Sequence, residues 1–394
     1  MKIMSNIYIL TDTKNRIYKE TWDFSPKKSP ETNKWSVKKR VFRGGKADGV
    51  DIIEVNNGAL SFSVLPTRGM GIWRGTYNGN NLGWDSPVRG PVNPSFINLD
   101  SENGLGWLAG FDELIVRCGL ASNGDPGVDS VRHADGKTHE TFLSLHGKIA
   151  NIPAHFVAVE IEQSDPPKIS IIGEVDEAMF FMPHLRLKTR IETVVGSNSF
   201  KIIDEIINCG TSETEIELLY HCNFGPPFLE KGAELVAPVC EVTPRDKLGA
   251  ADLEKYYLCD DPVAGFESKV YFFDIAADKN QKTVVMLKNK NADKAVAVRY
   301  NKNELPYFTF WKNTAAVEDG YVVGIEPGTD FPNNRSFERK NDRVIKIKPS
   351  ESYNISLEIE AYDNAESVSK VEKEIAEIQE NVPMKICKKP IIRS

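Results

Sequence analysis

The stretch Leu185-Arg186-Leu187-Lys188-Thr189-Arg190-Ile191-Glu192 decides the class of fold. Apolar or β-branched residues at the odd positions alternate with charged residues at the even ones. That period of two marks a strand with one buried and one wet face. The same alternation occurs in Leu60-Ser61-Phe62-Ser63-Val64, and again where Ile216, Leu218 and Tyr220 follow Glu215 and Glu217. Shorter runs lie at 283–287, 295–300, 307–311, 321–325 and 353–359, with turn residues such as Asn78-Gly79 and Glu318-Asp319-Gly320 between them. Many short, half-polar strands predict an all-β protein of large antiparallel sheets packed as a sandwich.

Helical periodicity is confined to the C-terminus. Val368, Val371, Ile375 and Ile378 are spaced by three or four, with Glu and Lys between them. They predict one amphipathic helix over about 366–381, docked on the sandwich, or else facing a second subunit of a homodimer. No repeat or linker interrupts the chain. All 394 residues therefore read as a single domain with its core over about 40–360.

The net charge of −7 argues against a nucleic-acid or anionic-membrane partner. Six cysteines without a C-x-x-C pair read as free thiols in a reducing compartment. The apolar run at 7–10 is too short for a signal-peptide core, and nothing approaches the ~20 residues of a membrane helix. The expected location is the cytoplasm.

Chemistry concentrates in a few places. His221 lies in Leu219-Tyr220-His221-Cys222-Asn223-Phe224-Gly225, on the face opposite Ile216, Leu218 and Tyr220 and just before a turn. A histidine there suits a general acid, its ordinary pKa lying near neutrality; the competing reading is a structurally bonded ring. Glu326, in Val323-Gly324-Ile325-Glu326-Pro327-Gly328, shares a face with Gly324, which leaves room for a ligand. Partial burial would raise its pKa and improve it as a base; the competing reading is a carboxylate capping the Pro327-Gly328 turn. His146 precedes Gly147 after a long loop, and Arg68 sits in the turn Pro66-Thr67-Arg68-Gly69 with several donors to offer. Arg117 and the row Arg186, Lys188, Arg190 would favour an acidic sugar if they lined the cleft. The stretch 84–147 is rich in Gly, Asn, Pro and Asp, and carries Trp84, Trp107 and Phe111. It reads as an ordered binding loop whose rings suit the C–H faces of a sugar. Trp107, Asn223 and Trp311 join Arg68, His146 and Arg117 as substrate-binding candidates. His133, His139 and His146 match no metal-binding spacing, so neither a metal nor a cofactor is expected.

The segments 65–70, 106–120 (Gly-Trp-Leu-Ala-Gly-Phe-Asp-Glu-Leu-Ile-Val-Arg-Cys-Gly-Leu), 145–153, 219–229 and 324–328 together resemble the aldose 1-epimerase (galactose mutarotase) superfamily. Within it they most resemble a divergent branch known only as a domain of unknown function. The resemblance implies a β-supersandwich with its site on the concave face. It also implies a histidine in a His-x-x-Phe segment that protonates the ring oxygen, and a late-strand glutamate that takes the anomeric proton. His221, in His-Cys-Asn-Phe, and Glu326 match those two roles, and His146 resembles the substrate-orienting histidine. Two departures stand out: the family's hydroxyl-binding aspartate has no evident counterpart, and Arg68 lies outside the segment in which mutarotases carry their arginine. The implied function is a sugar isomerase that interconverts anomers, with acid and base facing one another across a sugar-sized hollow. The alternatives are a non-catalytic carbohydrate-binding protein and an isomerase acting next to the carbonyl of an oxidised sugar.

Overall fold

The computed structural model describes residues 5–26, 34–133 and 135–391. His184–Val194 is a strand in which Leu185, Leu187, Thr189 and Ile191 are buried and the residues between them lie outside. It sits between Lys168–Ala178 and Ser199–Asn208 in an antiparallel sheet of ten strands. On the outer face its basic row is matched by acids of neighbouring strands. Arg186 Nε donates to Asp176 at 2.6 Å and Arg190 Nη1 to Glu160 at 2.6 Å, so the row is a charge-paired surface.

A second sheet, of fourteen strands, carries in spatial order Lys269–Ile275, Tyr307–Thr314, Tyr321–Gly328, Thr214–Phe224, Ile115–Leu120, Gly71–Tyr77, Leu60–Leu65 and Asp51–Asn56 among its members. Its inner face packs on that of the ten-stranded sheet. Phe62 and Phe200 meet with ring centroids 4.8 Å apart, and Val64, Ile72, Ile171, Leu187 and Ile202 belong to the same core. Each such side chain contributes about 1.5–3 kcal/mol by leaving water.

Arg117 belongs to this core and not to a cleft. Its Nε and Nη2 donate to Asp204 of the opposite sheet at 2.5 and 2.9 Å, and Nη2 also to Thr189 at 2.8 Å. The Tyr220 hydroxyl donates to the same carboxylate at 2.7 Å. With its charge matched and its donors used, Arg117 ties the sheets together and is withdrawn as a sugar contact.

The C-terminal helix runs Ala365–Gln379, its first turn capped by Asn364, which accepts from the Ser367 amide at 2.9 Å. Val368, Val371 and Ile375 bury against Val284, Met286, Ala295 and Ala297 on the outer face of the ten-stranded sheet. The apolar stripe therefore meets its own domain. The region 84–147 contains more structure than its composition announces. Ile115–Leu120 is a strand buried along its whole length, which removes the alternation that reveals a strand in sequence. Gly127–Arg132 and Thr138–Leu143 form a separate, largely exposed two-stranded sheet. All six cysteines are free, and no helix among the described residues is long and apolar enough to cross a membrane.

Candidate active site

Thr214–Phe224 divides its residues between two environments. Tyr220 and Cys222 point into the core between the sheets, while Leu219 lies on the outer face with Val116 and Cys118 of the neighbouring strand. His221 and Asn223, two and four residues on from Leu219, share that outer face. The partner strand Tyr321–Gly328 pairs Cys222 with Ile325 and Asn223 with Gly324, a register that sets Glu326 beside His221. On its other side, Thr309 stands opposite Glu326 and Trp311 opposite Gly324. Both strands continue past the two residues, to Phe224 and Gly328. Neither side chain is a strand terminus, and Glu326 caps no turn.

His221 Nε2 lies 3.1 Å from Glu326 Oε1, yet out of hydrogen-bond alignment, leaving that buried oxygen without a donor among the described residues. On the other side of the ring, Nδ1 is 2.6 Å from Asn223 Oδ1. Asn223 Nδ2 donates to the carbonyls of Glu113 and His221 at 3.0 and 3.1 Å, which fixes the amide with its oxygen toward the ring. An amide oxygen only accepts, so Nδ1 carries a proton, and Nε2 presents either a lone pair or a proton to Glu326. Asn223 is thus an orienting group for His221, fully buried, rather than a sugar contact.

The pair touches where a hollow was expected. A Cβ at position 324 would lie 2.2 Å from Glu326 Oε1 and 3.1 Å from His221 Cε1. The space beside Gly324 is therefore filled by the Glu326 carboxylate itself. An aromatic cover closes over both groups: Phe111, Trp311, His146 and Trp107 have ring centroids 5.0, 5.4, 5.6 and 6.3 Å from that of His221. His221 is 5% and Glu326 2% exposed.

His146 is held by its backbone as much as by its ring. It adopts a left-handed conformation, φ 57°, and Gly147 follows at φ 69°. There a Cβ would strike the Ser122 carbonyl at 2.1 Å, so only glycine fits. The His146 Nδ1 lies 2.7 Å from the Asn123 carbonyl, to which it donates. Trp107 packs on its ring with centroids 4.6 Å apart. Burial pushes His146 down to about 4. Burial, and then the neighbouring His146, push His221 down to about 3, and burial drives Glu326 well above the ordinary carboxylate range. At neutral pH both histidines are uncharged, and burial favours the protonated form of Glu326 relative to an exposed carboxyl.

Arg68 is elsewhere. It is buried, with Nε donating to Glu113 at 2.6 Å and its other nitrogens to the Val92 carbonyl, Asn151 and the Gly110 carbonyl at 3.1, 2.9 and 3.0 Å. It fastens the covering loop to the turn that follows Leu60–Leu65, with four of its five donors used and the side chain buried away from the acid–base pair. His133 and His139 stack with centroids 4.2 Å apart in the exposed hairpin, and His139 contacts Asp135 at 3.2 Å. Among the described residues no group of three or more His, Cys, Asp or Glu is placed to hold a metal.

Sequence reasoning passed over Thr309, the carbonyl of Asn123, and the Asp125–Arg245 ion pair, whose charge acts on His146. Nothing local marks them, because each acquires its place from a partner distant in the chain.

The profile of the family Domain of unknown function (DUF4432) matches residues 47–361, well over half of the chain. The chain belongs to the DUF4432 family. No curated protein sequence matches it. A solved structure from Klebsiella pneumoniae subsp. pneumoniae, provisionally named an aldose 1-epimerase, is 35% identical. It superposes with a TM-score of 0.93 over 99% of this chain and 100% of that one. A galactose mutarotase-like protein from Clostridium acetobutylicum shares the fold at 16% identity and a TM-score of 0.58, over 87% of this chain and 99% of its own. Galactose 1-epimerase from Lactobacillus acidophilus does so at 10% and 0.50, over 87% and 99%. This DUF4432 chain thus has the galactose-mutarotase-like β-supersandwich, as a divergent branch of that superfamily.

Proposed function

We propose that the protein is a sugar isomerase of aldose 1-epimerase type, with His221 and Glu326 as its acid–base pair and a free, uncharged sugar as substrate. The observation that carries the reading is the 3.1 Å contact of Nε2 with Oε1 under an aromatic cover. In a cyclic sugar the anomeric hydroxyl and the ring oxygen are bonded to the same carbon. An acid and a base that touch one another can therefore address both oxygens.

One group takes the proton of the anomeric hydroxyl, the bond from the anomeric carbon to the ring oxygen breaks, and the other group delivers its proton to the departing oxygen. The product is the open-chain aldehyde. After rotation about the adjacent carbon–carbon bond, the same transfers run backwards and close the ring on the other face. Opening moves the single proton of the pair to its alternative position and closing returns it, so no net proton, metal or organic cofactor enters the balance. The resemblance assigns the acid to His221 and the base to Glu326, whereas burial favours the reverse. Both assignments occur within one reversible cycle. Each transfer contributes roughly 10²–10⁴ in rate.

Arg68, Arg117, Arg186 and Arg190 are all committed to carboxylates, which supports an uncharged substrate over a uronate. The test is Glu326→Gln with a panel of aldoses, following anomer exchange by polarimetry and saturation-transfer NMR. Exchange should fall by at least two orders of magnitude while sugar binding persists. Binding without any wild-type acceleration would make the protein a carbohydrate-binding module. Solvent deuterium incorporated at carbon would point to chemistry next to a carbonyl.

A further inference from the structure

Three buried polar atoms on the outer face beside the pair have no hydrogen-bond partner among the described residues: Glu326 Oε1, Thr309 Oγ1 and Trp107 Nε1. Thr309 and Trp107 are each 1% exposed. Burying a donor or acceptor unpaired costs about 1–3 kcal/mol, so three in one place amount to a standing deficit. Two other polar side chains beside the pair are satisfied. Trp84 Nε1 donates to the Glu113 carbonyl at 3.1 Å, and Asn223 makes every bond it has room for. Unpaired buried atoms occur elsewhere in the molecule too, but these three are the ones that flank the acid–base pair on the outer face. Thr309 stands directly across the strand from Glu326, a spacing of about 5 Å between Cβ atoms. Trp107 faces the pair from the covering loop, with His146 against its ring.

We propose that Thr309 and Trp107 are sugar-contacting, specificity-determining residues that complete their hydrogen bonding only when a sugar displaces the cover. The inference rests on the sugar-isomerase reading above. Glu326 addresses the oxygens of the anomeric carbon. The group beside it, Thr309, then meets the substituent on the adjoining ring carbon. A threonine hydroxyl both donates and accepts, which suits a free hydroxyl at that carbon and disfavours a sugar that lacks one. Indole nitrogen only donates, so Trp107 requires a sugar oxygen as acceptor on the His146 side.

The experiment measures binding by saturation-transfer NMR of D-glucose and D-galactose against their 2-deoxy counterparts, for wild type, Thr309→Val, Thr309→Ser and Trp107→Phe. Wild type should prefer the parent sugars by roughly tenfold, the net worth of one hydrogen bond at the upper end of its range. Thr309→Val, nearly the same shape, should lose that preference, while Thr309→Ser keeps it. Trp107→Phe should weaken all four sugars by about tenfold and leave the preference intact. If Thr309→Val retains the wild-type preference while Glu326→Gln still abolishes exchange, this assignment falls and the isomerase reading stands. If wild type binds parent and 2-deoxy sugars equally, this assignment falls and the isomerase reading stands on the exchange assay.

Discussion

Substituting Gly324 by alanine separates the chemistry of the site from its stability. The added Cβ would lie 2.2 Å from Glu326 Oε1, against an ordinary contact of 3.4 Å, so the carboxylate must retreat by about 1.2 Å, the difference of the two. The atom in the way is the far end of a flexible side chain, and the backbone need not move. A misplacement of about 1 Å in a reacting group costs on the order of 10² in rate. Stability should move the other way, because an alanine that the native backbone accepts restricts the unfolded chain and stabilises by about 0.4–1 kcal/mol. Polarimetric exchange of an accepted aldose should thus slow ~100-fold while the melting temperature holds or rises. A Gly324→Ala protein with wild-type exchange rates would show that the Glu326 carboxylate is not the transferring group. One that melts well below wild type would show that the carboxylate cannot yield.

Arg117→Met should destabilise by about 3–5 kcal/mol in urea unfolding, because Asp204 is left charged in the core with only the Tyr220 hydroxyl and Thr189 region around it; adding Asp204→Leu should recover most of the loss. Glu217 and Asp330 lie buried against Asn123, which donates to them at 3.0 and 2.6 Å, and burial pushes Glu217 up to about 7 and Asp330 well above its ordinary range. A raised carboxyl pKa means that the folded state binds the extra proton between roughly pH 4.3 and 7, so this pair loses stability as pH rises through that window. The low pKa values of His146 and His221 act oppositely, gaining stability from about pH 4 to 6.5, so the informative quantity is a difference. Glu217→Gln should match wild type near pH 4 or below and exceed it by up to ~3 kcal/mol at pH 8; a pH-independent difference would contradict the shared burial of that pair. Because burial holds His221 uncharged down to about 3, its ring should show no NMR chemical-shift titration near pH 6.5, which a pH titration from 4.5 to 7.5 checks directly.

The sandwich was legible because its strands carry one wet face, as in 185–192. Where both faces are buried, as at Ile115–Leu120, the periodicity vanishes and only the sheet itself reveals the strand. The outward direction of His221 followed from its alternation with Ile216, Leu218 and Tyr220, and the closeness of Glu326 to Gly324 followed from spacing along one strand. What spacing does not convey is which partner a side chain finds across the fold. Arg68 and Arg117 read as ligands because arginine in an apolar segment demands an explanation. That explanation lies 45 residues away in Glu113 for one and 87 residues away in Asp204 for the other. Asn223 reads as a hydrogen bonder, and is one, but its bonds are spent on the histidine two residues before it. The contact between His221 and Glu326, in place of a gap, depends on the register of two strands a hundred residues apart.

Tyr220 and His221 are consecutive, yet one anchors the two sheets through Asp204 and the other meets Glu326 on the outer face. Slipping that strand by a single position would send the imidazole into the hydrocarbon interior and expel the phenol. Insertions or deletions anywhere in 214–224 therefore forfeit architecture and chemistry together. On the proposed reading, latitude to change the substrate lies beside and above the pair, at Thr309 and in the loops bearing Trp107, Phe111 and His146. There, replacement would alter what is admitted, and at His146 it would also shift the proton affinity of His221.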